Sequence, residues 1–511
     1  MARDPDATDG SHESAHKDDV ATAVRNGVTL GLSLLATWSV AVAVRVLLPR
    51  YLGPASFGEF AFAESFAATY FVFVGLGLDT YIAKELAVNP EHASDFFGGM
   101  VVLRLVLAVP LVAALMGTIV ITHRPPELRT LVLVFALAQL LLSANGTLAT
   151  MLQARSKVGG LAVTNVVGKL VWGAGLIAAL AAGAPLSVLA SVLVVSELVK
   201  AVALYRLVAA RYALRVHVVP AAVKAVIVAA LPYFANSVVL ALTSKSDILM
   251  LEFLTNDETQ VGWYSAAQNV TSLAMMFSPV LGWIMMPLLS RAAARSHEEL
   301  LSIFRRAVEA VYIVSLPVGL IAWLDAYEIV RLLFGRAYAP AGLVIRALAP
   351  VFLFTYVAIL LSMTLIALGK GWALTRVSFF GLLVNIAATL VLVPLGARHL
   401  GPGGGGAGDG AAVVLMEISV SVALLASIGR RSFDRRLLNS LTRSLVPIAV
   451  VSGVHFFLSS LGALRLLVDP LCYVLVALAA GAPRTRDLRL ILTMVRDRRL
   501  GRAADGSAAS A

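Results

Sequence analysis

Five basic residues fall inside strongly apolar stretches of this 511-residue chain: Arg45, Arg104, Lys169, Lys200 and Arg346. A charge at the centre of a bilayer costs at least about 2.5–3.5 kcal/mol, so such residues face a partner or a water-filled cavity. Arg104 and Lys169 each lie about eight residues into their stretch, on the order of 12 Å deep at about 1.5 Å of rise per residue. Asn165 precedes Lys169 by one helical turn and shares its face. Arg45 stands near the far end of the first stretch, broadly in line with Ser33 and Thr37. A cation at such depth needs an anion or water. The competing use is a helix–helix hydrogen bond, and spacing leaves both open.

Three carboxylates share the apolar setting: Glu64, Asp247 and Glu417. Protonation of a buried carboxylate can tie a conformational change to an ion gradient. Asp247 could equally pair with Lys245, and Glu64 could serve as a satisfied bond between helices. Polar stripes at helical spacing run through Gln139, Ser143, Thr147 and Thr150, through Asn236, Thr243 and Asp247, and through Ser265, Asn269 and Ser272. Such stripes can line a hydrated path; for any single Ser or Thr, helix–helix bonding is the simpler use. Met275, Met276, Met285 and Met286 read as packing residues.

The elements that carry these residues follow from composition. Hydrophobic residues make up 59% and charged residues 14%, with a mean hydropathy of +0.87. Soluble domains hold about 45–50% apolar and about 25% charged residues, so a soluble fold could not cover its surface here. This is a polytopic membrane protein, which excludes soluble enzymes, collagens and disulfide scaffolds. Cys472 is the only cysteine, so neither an internal disulfide nor a cysteine metal site is possible, and no cofactor or metal is expected.

With about 20 apolar residues per crossing, helices are predicted near 26–48, 57–79, 96–121, 130–151, 161–183 and 186–205. A second series follows near 225–246, 260–288, 307–330, 344–368, 372–396 and 411–429, then a pair near 444–462 and 466–483. The expected fold is all-α with about 14 transmembrane helices. With the N-terminus inside, 28 of the 41 Lys and Arg lie in inner segments, eight in outer loops and five within spans. Cytoplasmic loops collect Lys and Arg, so the chain is read as N-in and C-in, and its net charge of +11 as topology rather than nucleic-acid binding. Residues 1–24, rich in Asp and nearly free of apolar residues, read as a disordered cytoplasmic tail rather than a signal peptide; 484–511 read as a basic cytoplasmic tail. No connection has room for a soluble catalytic domain, so the chain is not expected to be an enzyme. The run Gly401-Pro402-Gly403-Gly404-Gly405-Gly406 lacks the Lys-Ser/Thr of a phosphate loop and reads as a flexible outer linker. The sequons at Asn145 and Asn269 fall inside spans and read as chance.

An internal repeat organises the spans. Tyr51-Leu52, a short loop, then Gly58-Glu59-Phe60-Ala61-Phe62-Ala63 is matched by Phe253-Leu254, an acidic loop, then Gly262-Trp263-Tyr264-Ser265-Ala266-Ala267. Each following span ends in a similar step, Ile82-Ala83-Lys84 and Leu289-Ser290-Arg291. Six spans separate the copies, so they run in the same direction and imply two six-helix lobes, 25–215 and 216–430, with two extra helices in 431–483.

Four stretches carry a family resemblance: Leu52 through Ala61; Leu152-Gln153-Ala154-Arg155-Ser156-Lys157; Asp247-Ile248-Leu249-Met250-Leu251 with Val261-Gly262-Trp263-Tyr264; and Leu333-Phe334-Gly335-Arg336-Ala337-Tyr338-Ala339 leading to Arg346-Ala347-Leu348-Ala349-Pro350. In this order the chain resembles the multidrug/oligosaccharidyl-lipid/polysaccharide (MOP) exporter superfamily, and within it the Wzx-type O-antigen flippases. The resemblance implies a non-enzymatic carrier in a bacterial cytoplasmic membrane, serving lipopolysaccharide or exopolysaccharide assembly. It would move a polyprenyl-diphosphate-linked oligosaccharide to the outer leaflet by alternating access, with a polysaccharide polymerase and other assembly proteins as partners. Arg45, Arg104, Asn165, Lys169, Asn236, Tyr264 and Asn269 are then candidate substrate residues, and Asp247, Glu64 and Glu417 candidate ion-coupling residues. The extra helices near 444–483 could form a groove for the lipid tail. The same fold would suit a MATE-type exporter of cationic drugs or a peptidoglycan-precursor flippase; from another class, an integral membrane glycosyltransferase or polymerase competes.

Overall fold

The computed structural model describes residues 37–75, 93–154, 158–210, 220–429, 442 and 445–479. All regular structure among them is helical. Ten helices are long and apolar enough to cross a membrane, and Val446–Phe457 is a shorter apolar helix. The tails expected at 1–24 and 484–511 lie outside the described residues.

The chain packs as two compact units, residues 1–266 and 267–511. The first holds α1 (37–52), α2 (Pro54–Gly75), α3 (Ala93–Ile121), α4 (Pro126–Ala154), α5 (Val158–Ala181), α6 (Leu186–Ala209), α7 (Pro220–Thr255) and the start of α8 (Glu258–Ala274). Here α2 packs on α3, α4 and α7, while α6 packs on both α4 and α5. The buried face of α2 is aromatic: Phe60 meets Phe135 of α4 edge-on at 5.0 Å, and Phe62 stacks on Phe66 at 5.4 Å.

The two copies of the internal repeat meet in this unit. Gly58 of α2 lies against the Glu258 carbonyl, and Gly262 of α8 against the Pro54 carbonyl, so that a Cβ at either glycine would overlap the facing backbone. Each glycine sits one helical turn after the residue its counterpart touches. The repeated glycine is thus a packing requirement, because only a residue without Cβ lets the two helix starts cross backbone to backbone.

The second unit holds the rest of α8, α9 (Ser278–Arg295), α10 (His297–Leu324), α11 (Ala326–Phe334), α12 (Ala341–Leu348), α13 (Val351–Ala367), α14 (Gly371–His399), α15 (Gly404–Ile428), α16 (Leu445–Phe457) and α17 (Arg465–Ala479). One expected span is broken. The stretch 260–288 is divided by a 3-10 turn at Met275–Phe277, since the Pro279 ring would clash with the carbonyl one turn earlier. The stretch 344–368, by contrast, stays within one span, Ala341–Ala367, whose backbone keeps helical dihedrals through the turn at Ala349-Pro350. Between α10 and α12 the chain makes an unexpected corner, the short helix α11 and a turn at Arg336–Tyr338 whose tyrosine is buried.

The glycine run 403–406 is no linker. Gly403 takes a left-handed φ of 81° and starts α15, whose first residues are buried against α14. Gly404 faces Gly396, and Gly408 faces Leu392, backbone to backbone. Sequence composition suggested flexibility, but close helix packing is the other use of clustered glycine.

Candidate functional site

In the first unit, α5 and α6 present polar residues to one cavity of about 190 Å³, lined by Asn165, Lys169, Trp172, Ser196, Glu197 and Lys200 together with Thr37 of α1. The one-turn spacings explain the grouping. Asn165, Lys169 and Trp172 repeat along one face of α5; Ser196, Glu197 and Lys200 do so on α6. Ser196 donates to the Gly168 carbonyl at 2.8 Å, tying the helices together at the cavity floor. Lys169 Nζ lies over the Trp172 ring, 4.4 Å from its centroid, while its side chain remains exposed.

The charges around this cavity form one neighbourhood. Glu197 pairs with Lys200 at 3.7 Å, and Asn145 of α4 donates to the Glu197 carboxylate at 2.8 Å and to its carbonyl at 2.9 Å. Lys169 lies within electrostatic reach of Glu197, Lys200, Arg45 and Glu64. Three cations thus stand against two carboxylates, and both carboxylates have cationic neighbours. A surplus positive charge beside an indole plane and two amides suits an anionic group carrying sugar or another ring-faced substituent.

Arg104 is elsewhere. Its side chain is 2% exposed on α3 and donates to the Ser143 carbonyl of α4. It borders a separate, apolar cavity of about 290 Å³ with Leu105, Leu140, Thr147 and Tyr205. Arg45 and Glu64 lie half-buried on α1 and α2, within electrostatic reach of each other. Tyr264 is buried, and its hydroxyl donates to Asp247 Oδ2 at 3.4 Å. Asn269 is half-buried in the second unit, where its carbonyl accepts from Ser272. Glu417, on α15, faces the Thr355 hydroxyl of α13. The Asn236 side chain lies outside the described residues.

Sequence reasoning missed Trp172, Glu197 and Asn145. The signals were present: Trp172 follows Lys169 by three residues, and Glu197 precedes Lys200 by three. Asn145, set aside with its sequon, is a buried ligand of Glu197.

A second ionic feature joins the ends of two elements. Arg124, between α3 and α4, meets Glu252 of α7 at 2.5 Å, with the carboxylate 1% exposed. The guanidinium also lies over the rings of Phe62 and Phe253, 5.5 and 5.8 Å from their centroids.

Residues 23–292 match a family model described as polysaccharide biosynthesis protein. Among curated proteins none matches the chain. Among solved structures it is similar to the lipid II flippase MurJ in an inward closed conformation, with 14% identity and a TM-score of 0.71 over 91% of this chain and 99% of that one. It is also similar to an inward-facing multidrug resistance MATE family transporter of the MOP superfamily, with 15% identity and a TM-score of 0.60 over 78% and 98%. A MOP superfamily transporter from Pyrococcus furiosus matches with 16% identity and a TM-score of 0.54 over 78% and 94%. These likenesses show the fold, that of the MOP transporters.

Proposed function

Because the chain belongs to the polysaccharide biosynthesis protein family, we propose that it is a membrane flippase for a polyprenyl-diphosphate-linked oligosaccharide. It carries the head group from the cytoplasmic to the outer leaflet by alternating access, as a transporter and not an enzyme. The lobes expected at 25–215 and 216–430 would be its moving parts, and the bacterial cytoplasmic membrane its site, N-in and C-in. The observation that carries the reading is the α5–α6 cavity. Lys169 and Lys200 meet the diphosphate, and Trp172 and Asn165 meet the first sugars. By the inside orientation, Lys169 sits about 16 Å from the cytoplasmic end of α5, within reach of a head group entering from that leaflet.

Each charge-assisted bond to the diphosphate contributes about 1.5–3 kcal/mol, enough for a tenfold to hundredfold change in affinity. The cations set the substrate's sign. Glu197 and Glu64 favour a second reading, a MATE-type exporter of cationic drugs, but the three cations around them leave no net negative site for a cationic drug. The experiment is a leaflet assay: reconstitute the protein in vesicles with a labelled polyprenyl-diphosphate oligosaccharide on one face and measure its appearance on the other. Translocation supports the proposal. Efflux of a cationic dye with no lipid movement would select the drug exporter, and sugar-chain elongation without translocation a polymerase.

A further inference from the structure

The helices α16 and α17 form a hairpin through a 3-10 turn at Ser459–Leu464, and both pack on α10. An apolar cluster of Leu324, Val451, Tyr473 and Ala477 holds the contact. Inside it lies a polar group that the transport site does not use. Asp325, at the corner between α10 and α11, is 1% exposed; Asp469 of α17 is 0% exposed, and His455 of α16 is 5% exposed. His455 Nδ1 lies 2.6 Å from Asp469 Oδ2 and 3.8 Å from Asp325 Oδ1.

Arg465, at the start of α17, decides where the hydrogens are. Its NH1 lies 3.2 Å from His455 Nε2, while its Nε donates to the Gly462 carbonyl and its NH2 lies 4.0 Å from Glu328 of α11. A guanidinium only donates, so Nε2 must accept. The imidazole is then neutral with its hydrogen on Nδ1, and that hydrogen goes to Asp469. No hydrogen remains for Asp325: both of its carboxylate oxygens, and Asp469 Oδ1, are buried with no hydrogen-bond donor among the described residues. The Asp325 and Asp469 carboxyls lie within hydrogen-bond reach of each other. Two buried carboxylates at that separation do not both stay ionised.

We propose that Asp325 and Asp469 share one exchangeable proton, and that this proton fastens the α16–α17 hairpin to the α10–α11 corner. The ligand atoms of the trio lie within 4.8 Å of one another, a spacing that would also suit a cation. A metal on Nδ1, however, requires a hydrogen on Nε2, where Arg465 already donates. The other polar groups about the hairpin contact are Glu328 of α11, Tyr312 of α10 and Tyr473 of α17. On α12, Arg346 turns to Trp323 and Tyr327, stacking on both rings and donating to the Trp323 carbonyl.

The direction of the pH response follows. Burial, reinforced by the neighbouring Asp469 charge, pushes the Asp325 carboxyl up to about 6. Its folded value stands above its unfolded one, so the proton's contribution is complete in acid and is lost as pH rises through about 6. Between pH 5 and pH 8 that linkage changes the opening equilibrium about tenfold.

The test is hydrogen exchange of residues 445–479 in the full detergent-solubilised chain, from pH 5 to pH 8, corrected for intrinsic exchange chemistry. Protection should fall about tenfold toward pH 8 in the native protein. Asp325→Asn, whose amide donates to Asp469 at every pH, should abolish the pH dependence and keep the protection; Asp469→Asn, from the other side of the pair, should do the same. A pH dependence that survives in both variants would overturn the proposal. So would a stoichiometric metal in the purified protein whose removal by a chelator exposes the hairpin. The proposal does not rest on the substrate reading, and a chain that fails the leaflet assay can still pass this one.

Discussion

Adding one methyl group at Gly262 is the sharpest test of how the repeat is used. A Cβ there would run into the Pro54 carbonyl, 2.7 Å from its carbon and 3.0 Å from the Pro54 Cα. Ordinary contact needs about 3.4 Å or more and the Pro54 oxygen lies closer still, so α2 and α8 must part by more than about 1 Å along a backbone that has no side chain to fold away. Overpacking of this kind costs about 1–3 kcal/mol, and backbone on both sides places it near the upper end. Alanine returns about 1 kcal/mol of helix propensity, which leaves about 2 kcal/mol net. Gly58→Ala should behave alike, because its Cβ would lie 2.8 Å from both the Glu258 carbonyl carbon and the Gly262 nitrogen. Gly117→Ala is the control, with nothing within 4 Å of the added carbon. In thermal unfolding of the purified protein, both glycine variants should melt several degrees low and the control should not. The double variant should cost clearly less than the two singles together, since helices parted by one methyl already accommodate the other. Singles that melt with the control, or a strictly additive pair, would refute the reciprocal crossing.

Other outcomes follow from single contacts. Lys169→Ala should cut translocation about tenfold to a hundredfold while leaving the melting temperature nearly unchanged, since its side chain is exposed; the vesicle assay and a melt read the two effects separately. Arg104→Ala should do the reverse: losing the tie to the Ser143 carbonyl destabilises the chain by about 1.5–3 kcal/mol, and transport should fall only with the folded fraction. Arg124→Ala leaves Glu252 buried without its cation and should cost about 3–5 kcal/mol; adding Glu252→Gln should restore part of the loss, as a melting series would show. In the same melts, Glu197→Gln should weaken the hold on Lys200 and Asn145 and lower the melting temperature, while both lysines of the cavity remain.

The fold class was legible because its cause is crude: too many apolar residues for any surface that meets only water. Ten of the 14 expected spans correspond to long apolar helices among the described residues, for the same reason. What length and hydropathy do not carry is where a helix breaks, and here the break sits before Pro279, which a window of apolar residues averages away. The glycines were misread in one place and recognised in another for a single reason. Gly58 and Gly262 stood out because they repeat, whereas Gly403–Gly406 had only composition to speak for them, and composition cannot distinguish a loose chain from a backbone pressed against its neighbour.

The charged residues teach a narrower lesson about depth. Arg104 and Lys169 were equivalent by position, each about two turns into an apolar stretch. Their fates differ because of what stands beside them. Arg104 is buried and donates to the Ser143 carbonyl of α4. Lys169 faces an aromatic ring, and the carboxylate one helix away is already engaged by Asn145 and Lys200. A ring stabilises an ammonium without neutralising it. It is thus the partner set on the adjoining helix, not depth alone, that separates the two cations.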